Sequence, residues 1–269
     1  MIRRHQLVSF FLLAYLLSWY PWLIALARHA TTGPNPLGPM AAALIVAAVA
    51  GRGAGLRELL ARLVRVRFAW RWYAVALLLP VLACVCAAAV AVLLGAARPD
   101  LALLPGWGQA ADRFVFILLF IGLGEETGWR GFALPRLQQR RSPLGASLVL
   151  APLWALWHLP LLGTEFAPPV VPAFLIAIVP ATLVATWLFN HTRGSVVPQM
   201  LFHATVNTVA SGAVFPLFKG GSLTLLWYVY AAVWVAVAAI VIAAGGLRGA
   251  RPRPPAARGG RGIGYPCRP

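Results

Sequence analysis

Long uncharged runs recur along this chain, and their length restricts the fold more than any other feature. Residues 7–27 hold 21 positions without a single Asp, Glu, Lys or Arg. About 20 apolar residues in a helix span the ~30 Å hydrocarbon core of a bilayer. Inside lipid every backbone N–H and C=O must find its partner within the protein, which admits only helices and closed barrels. Barrel strands need only about ten residues, so runs of this length read as helices. Hydrophobic residues make up 61% of the sequence and charged ones 11%, with a mean hydropathy of +0.79. Such values exclude a water-soluble domain.

The expected fold is all-α, a polytopic membrane helical bundle of about eight transmembrane helices. The runs are residues 7–27, an Ala-rich second run ending near Ala50, and residues 72–97, 114–129, 144–162, 168–190, 196–218 and 223–247. Arg3 and Arg4 before the first run also suit a signal peptide, but the apolar core of one runs roughly 7 to 15 residues, so a retained span is expected. Between residues 52 and 71, arginines interleave with Leu56, Leu59, Leu60 and Leu63. That leucine spacing predicts an amphipathic helix on the cytosolic membrane surface. Residues 1–247 read as one transmembrane domain, and the aperiodic Arg, Pro and Gly of residues 248–269 as a disordered cytosolic tail.

The formal net charge of +17 does not indicate nucleic acid, because the basic residues fall in short clusters between apolar runs. With the N-terminus inside, 19 of the 23 Lys and Arg lie on cytosolic segments and 4 on the other side. The protein is therefore expected in the cell membrane, multi-pass, with both termini cytosolic. Cys84, Cys86 and Cys267 give neither a disulfide framework nor a CxxC pair. Cys267 is third from the end, whereas a prenylation signal places it fourth.

Of the six acids, only Glu125 and Glu126 abut the interior of an apolar run. Each carboxylate at membrane depth costs about 2.5 to 3.5 kcal/mol unless something pairs or uses it. On a helix Glu126 faces Arg130 four residues on, and Glu125 points about 100° away. One acid looks anchored and the other free for chemistry. Gly124 and Gly128 form a small-residue face that lets another backbone approach the carboxylates.

His158 lies in the fifth run, preceded by Trp154 four residues earlier, and His203 and Asn207 share one face of the seventh. If the fourth, fifth and seventh spans converge, these groups make one polar pocket in an apolar bundle. A carboxylate beside an imidazole in a low-dielectric site can deprotonate water. A histidine next to an asparagine can donate hydrogen bonds to a developing oxyanion. Together these are the parts of an amide hydrolase, and no Gly-x-Ser-x-Gly or nucleophilic cysteine suggests a covalent route.

Glu125-Glu126-x-x-x-Arg130, then Trp154-x-x-x-His158, then His203-x-x-x-Asn207, in that order on an eight-span chain, resembles the CAAX prenyl endopeptidase and bacteriocin-processing (CPBP) family of intramembrane proteases. The likeness covers roughly residues 37–247, with a protease core at about 112–218. It implies that Glu125 and His158 activate a water, that His203 and Asn207 stabilise the oxyanion, and that Glu126, Arg130 and Trp154 support them. The family's second motif usually begins with Phe, where this chain has Trp154, which bears on substrate fit. The substrate expected is a membrane peptide or protein, lipidated or not.

Zinc stays open at this stage. Glu125, His158 and His203 match the ligand types of a catalytic zinc, yet there is no HExxH and Asn207 is a poor ligand. Two other classes also stay open. Intramembrane Glu and His build proton-coupled transporters, although no inverted repeat is evident here. A catalytically silent membrane scaffold or immunity-type protein could carry the same fold.

Overall fold

In the computed structural model, which describes residues 5–248, eight helical segments pack into one bundle. They are α1 (Gln6–Ala27), α2 (Gly38–Leu63), α3 (Arg71–Leu93), α4 (Trp107–Gln138), α5 (Pro143–Trp157), α6 (Val171–His191), α7 (Val197–Val209) and α8 (Gly220–Ala243). A single isolated bridge between Leu162 and Phe166 is the only β pairing among the described residues. The expected tail at residues 248–269 lies outside the described residues except for Arg248.

Six of these helices are long and apolar enough to cross a membrane, with α6 counted as Pro168–His191 and α7 as Val197–Leu217. The other two expected crossings are shorter apolar helices, Gly38–Gly51 and Pro143–Trp157. The fifth run stops at Trp157, because His158 ends the helix and Pro160 follows it. Apolar side chains such as Leu16, Leu82 and Ile240 face outward, as lipid-facing positions require.

The expected amphipathic helix is the second half of α2, and it ends at Leu63. In a straight helix, positions eight apart are separated by about 12 Å. A Cβ on Gly55 would instead lie 2.9 Å from the carbonyl oxygen of Ala47. The chain therefore bends sharply around Gly51 and Gly53. The arm beyond the bend buries Leu59 and docks on the turn after α6, where Val196 N–H donates to the Arg62 carbonyl (3.0 Å).

Around the fourth run the helix is longer than the apolar stretch suggests. α4 starts at Trp107 and passes through two wide, π-helical stretches, Ile117–Gly122 and Thr127–Ala133. These flank the single α-turn Leu123–Glu126 that carries both acids. π-Bulges concentrate at functional sites because the extra residue re-aims the neighbouring side chains.

Two apolar cores meet at this helix. One joins α1, α2, α4 and α5, with Phe10 stacked on Phe132 (5.0 Å) and edge-on to Trp129 (5.5 Å). The other joins α3, α6, α7 and α8, where Ala76, Ala83, Ala87 and Ala91 let α3 come close to its neighbours. The acid pair sits at the seam between the two cores.

Candidate active site

The three predicted polar segments reach one place because different elements hold each. α1 fixes the end of α5, with Tyr15 Oη donating to the Leu153 carbonyl (2.9 Å) and Trp19 Nε1 to the Trp157 carbonyl (3.0 Å). α7 packs along the first π-helical stretch of α4, where Gly122 admits the backbone of Met200. A cavity of about 350 Å³ opens between them, and Glu125, Glu126, Arg130, Trp154, His158, His203 and Asn207 all line it.

Glu126 is a buried hub. Its Oε1 accepts from Arg130 Nη1 (2.8 Å), the pair that the four-residue spacing implies, and stands 2.8 Å from His203 Nδ1. The Arg130 guanidinium lies over the Trp154 ring at 4.2 Å, a cation–π contact strengthened by desolvation. The link from Glu126 to His203, 77 positions apart, is one that spacing on a single helix does not reveal.

Glu125 has a different environment. Its Oε2 accepts from Trp154 Nε1 (2.9 Å) and, at a longer 3.4 Å, from Trp129 Nε1. Its Oε1 makes no hydrogen bond among the described residues. Trp129 is absent from the expected set of site residues. Trp154, taken from the sequence as an aromatic bearing on substrate fit, also supplies an N–H that a Phe lacks.

His158 ends α5, and its Nδ1 lies 2.8 Å from the Trp154 carbonyl. A carbonyl can only accept, so Nδ1 carries the proton and Nε2 is the basic nitrogen. Trp157 and Phe174 wall the ring at 5.0 and 5.2 Å. Asn207 is half-buried and makes no side-chain hydrogen bond among the described residues, so its amide is available to whatever occupies the cavity.

The small-residue face of α4 is filled by this chain itself. A Cβ on Gly124 would collide with the Pro36 carbonyl oxygen, and one on Gly128 would lie 2.5 Å from Pro39 Cβ. The approach expected of a partner backbone is thus made by the turn into α2, which closes one wall of the site.

A catalytic zinc takes three protein ligands grouped around one point. Among the described residues no three His, Cys, Asp or Glu side chains are placed to hold a metal. Glu125 Oε2 is already committed to indole N–H donors, and the Arg130 cation is paired to the adjacent carboxylate. The candidate set Glu125, His158 and His203 is therefore not a coordination cluster in this arrangement.

Residues 107–209, the stretch holding every one of these polar groups, match the family described as type II CAAX prenyl endopeptidase Rce1-like. This stretch of the chain is similar to that family of membrane proteases. Over 102 residues it is 31% identical to "CAAX prenyl protease 2" from Methanococcus maripaludis, covering 35% of this chain and 38% of that relative. The matched stretch runs from the start of α4 to the end of α7. It leaves out α1 to α3 and α8, including the two hydrogen bonds from α1 that steady the end of α5.

Proposed function

We propose that the protein is an intramembrane endopeptidase that hydrolyses a peptide bond with a water activated by Glu125 and His158. Glu125 Oε1 and His158 Nε2 are basic atoms of cavity-lining residues that make no hydrogen bond among the described residues. Glu125 takes a proton from the water as its oxygen attacks the carbonyl carbon. It returns that proton to the departing amine nitrogen. His203 donates a hydrogen bond from Nδ1–H to Glu126 and one from Nε2–H to the oxyanion, to which Asn207 Nδ2 donates a second. Glu126 and Arg130 hold His203 in place.

The observation that carries this reading is the convergence of seven polar or aromatic site residues, from three separate helices, on one cavity in an apolar bundle. A transporter also needs buried carboxylates, but a paired base and oxyanion donor suit hydrolysis better. The relative's name points to prenylated protein C-termini as one substrate class for a membrane-associated peptide or protein. The chain covers only 38% of that relative, and the cavity also suits an unmodified apolar peptide.

The cavity reaches Gly33, Pro34, Glu165 and Phe215, which lie in or beside the turns at one end of the bundle. The arginine-rich arm of α2 and Arg136, Arg140 and Arg141 lie at the opposite end. With basic segments and both termini cytosolic, the site opens toward the extracytoplasmic face.

Membranes from cells expressing the wild type and Glu125→Ala test the reading by mass spectrometry of new peptide C-termini. The wild type should generate cleaved membrane peptides that the variant accumulates intact. Identical peptide populations, together with proton-coupled solute uptake lost in the variant, would replace the protease with a transporter.

A further inference from the structure

Beyond the catalytic cavity lies a second one of about 510 Å³, and the two share seven wall residues, among them Ile121, Glu165, Asn207, Ser211 and Trp227. Its remaining lining is mostly apolar, from Phe116, Ile117, Phe218 and Leu223, with one cation, Arg113. Arg113 makes no hydrogen bond and no ion pair within 4 Å among the described residues. Its side chain reaches from α4 across to the C-terminal extension of α7, where a Cβ on Gly212 would lie 2.7 Å from Nη1 and 2.8 Å from Cδ. Gly212 is thus a notch that seats the arginine stem against the wall of the chamber.

Resting on the protease reading, we propose that this chamber is a substrate subsite in which Arg113 binds a carboxylate of the peptide on the leaving side of the cut bond. A planar guanidinium with free N–H groups matches a carboxylate oxygen pair, and the apolar walls suit the side chains leading to it. Asn207, an oxyanion donor in the proposed mechanism, is five residues before Gly212, about 7 Å along the helix. Extended peptide covers about 3.3 Å per residue. The anchored carboxylate therefore lies two to three residues beyond the cleaved bond. A chain terminus and an acidic side chain offer the same group.

Glu165 borders both cavities, within electrostatic reach of Arg113 but not in contact. Burial pushes its carboxyl above the usual range, and Arg113 opposes that shift. When ionised it competes with an incoming carboxylate.

Three fluorescent apolar hexapeptides test the subsite: one with a free C-terminal carboxylate, one amidated, and one amidated with Asp as its last residue. Binding is read by anisotropy on full-length protein in detergent carrying Glu125→Gln, so that no peptide is consumed. The free acid should bind roughly three- to tenfold tighter than the plain amide, as for a partly exposed charge pair. Arg113→Gln and Gly212→Ala should bring that ratio to near one, Arg113→Lys should keep part of it, and Glu165→Gln should increase it. Equal binding of acid and amide, or a ratio that survives Arg113→Gln, overturns the proposal. Tight binding of the Asp peptide assigns the subsite to acidic side chains as well as termini, and weak binding assigns it to the terminus alone. Binding does not depend on turnover. A preference for acid with no cleavage by the wild type would sink the protease reading and leave the subsite standing.

Discussion

His203 Nδ1 lies 2.8 Å from Oε1 of Glu126, the same oxygen that takes the Arg130 guanidinium at 2.8 Å. One buried carboxylate oxygen therefore ties α7 to α4 and fixes which nitrogen of His203 is left for the cavity. Glu126 Oε2 and Arg130 Nε have no hydrogen-bond partner among the described residues, so the knot depends on this one oxygen.

Removing the cation should loosen the fold. Arg130→Met leaves the Glu126 carboxylate buried beside a single imidazole, and breaking a buried pair in this way costs about 3 to 5 kcal/mol. A thermal melt in detergent should fall by several degrees. An unchanged melting temperature would show that the pair contributes nothing to stability.

Trp154→Phe should lower kcat far more than it changes KM. The ring and its contact with Arg130 remain, while Glu125 loses its shorter indole N–H bond. A hydrogen bond to a charged group is worth about 1.5 to 3 kcal/mol, or roughly ten- to a hundredfold in rate. Trp129→Phe removes only the 3.4 Å contact and should cost less. Steady-state kinetics on the two variants check the order, and a larger loss for Trp129→Phe would reverse it.

Turnover should withstand chelation. Glu125, His158 and His203 are not arranged as a ligand set, so dialysis against excess 1,10-phenanthroline should leave the rate within about twofold of the untreated protein. Inactivation reversed by added zinc would contradict the glutamate-dependent mechanism.

Cleavage should be sided. In right-side-out membrane vesicles a membrane-impermeant peptide added outside should be cut, and in inverted vesicles it should survive. The opposite pattern would place the mouth of the site in the cytosol and invert the proposed topology.

The apolar runs showed the bundle in the sequence, because lipid demands continuous helices from a chain of this composition. Helix ends were less visible. The apolar runs 72–97 and 114–129 leave Asp112 and Arg113 between them, yet α4 already begins at Trp107, since charged side chains at a helix end can reach a cavity or the interface without breaking backbone hydrogen bonds. A span ending near Ala50 followed by a surface helix from residue 52 implied a change of direction, and the structure makes it inside the single helix α2, around Gly51 and Gly53. At the site, the Glu126 to Arg130 pair followed from helical spacing. The bonds from Trp154 to Glu125 and from His203 to Glu126 join residues 29 and 77 positions apart. Only packing determines such contacts, and a single sequence does not display it.

The account rests on Glu125 acting as the base that activates water, and cleavage of one defined peptide by purified wild type and Glu125→Gln tests this most directly. The substitution keeps the shape and can still accept the Trp154 hydrogen bond, but it removes the proton acceptor, so the rate should fall by a factor on the order of 10² to 10⁴ with the melting temperature unchanged. Wild-type turnover by a folded Glu125→Gln protein would contradict it.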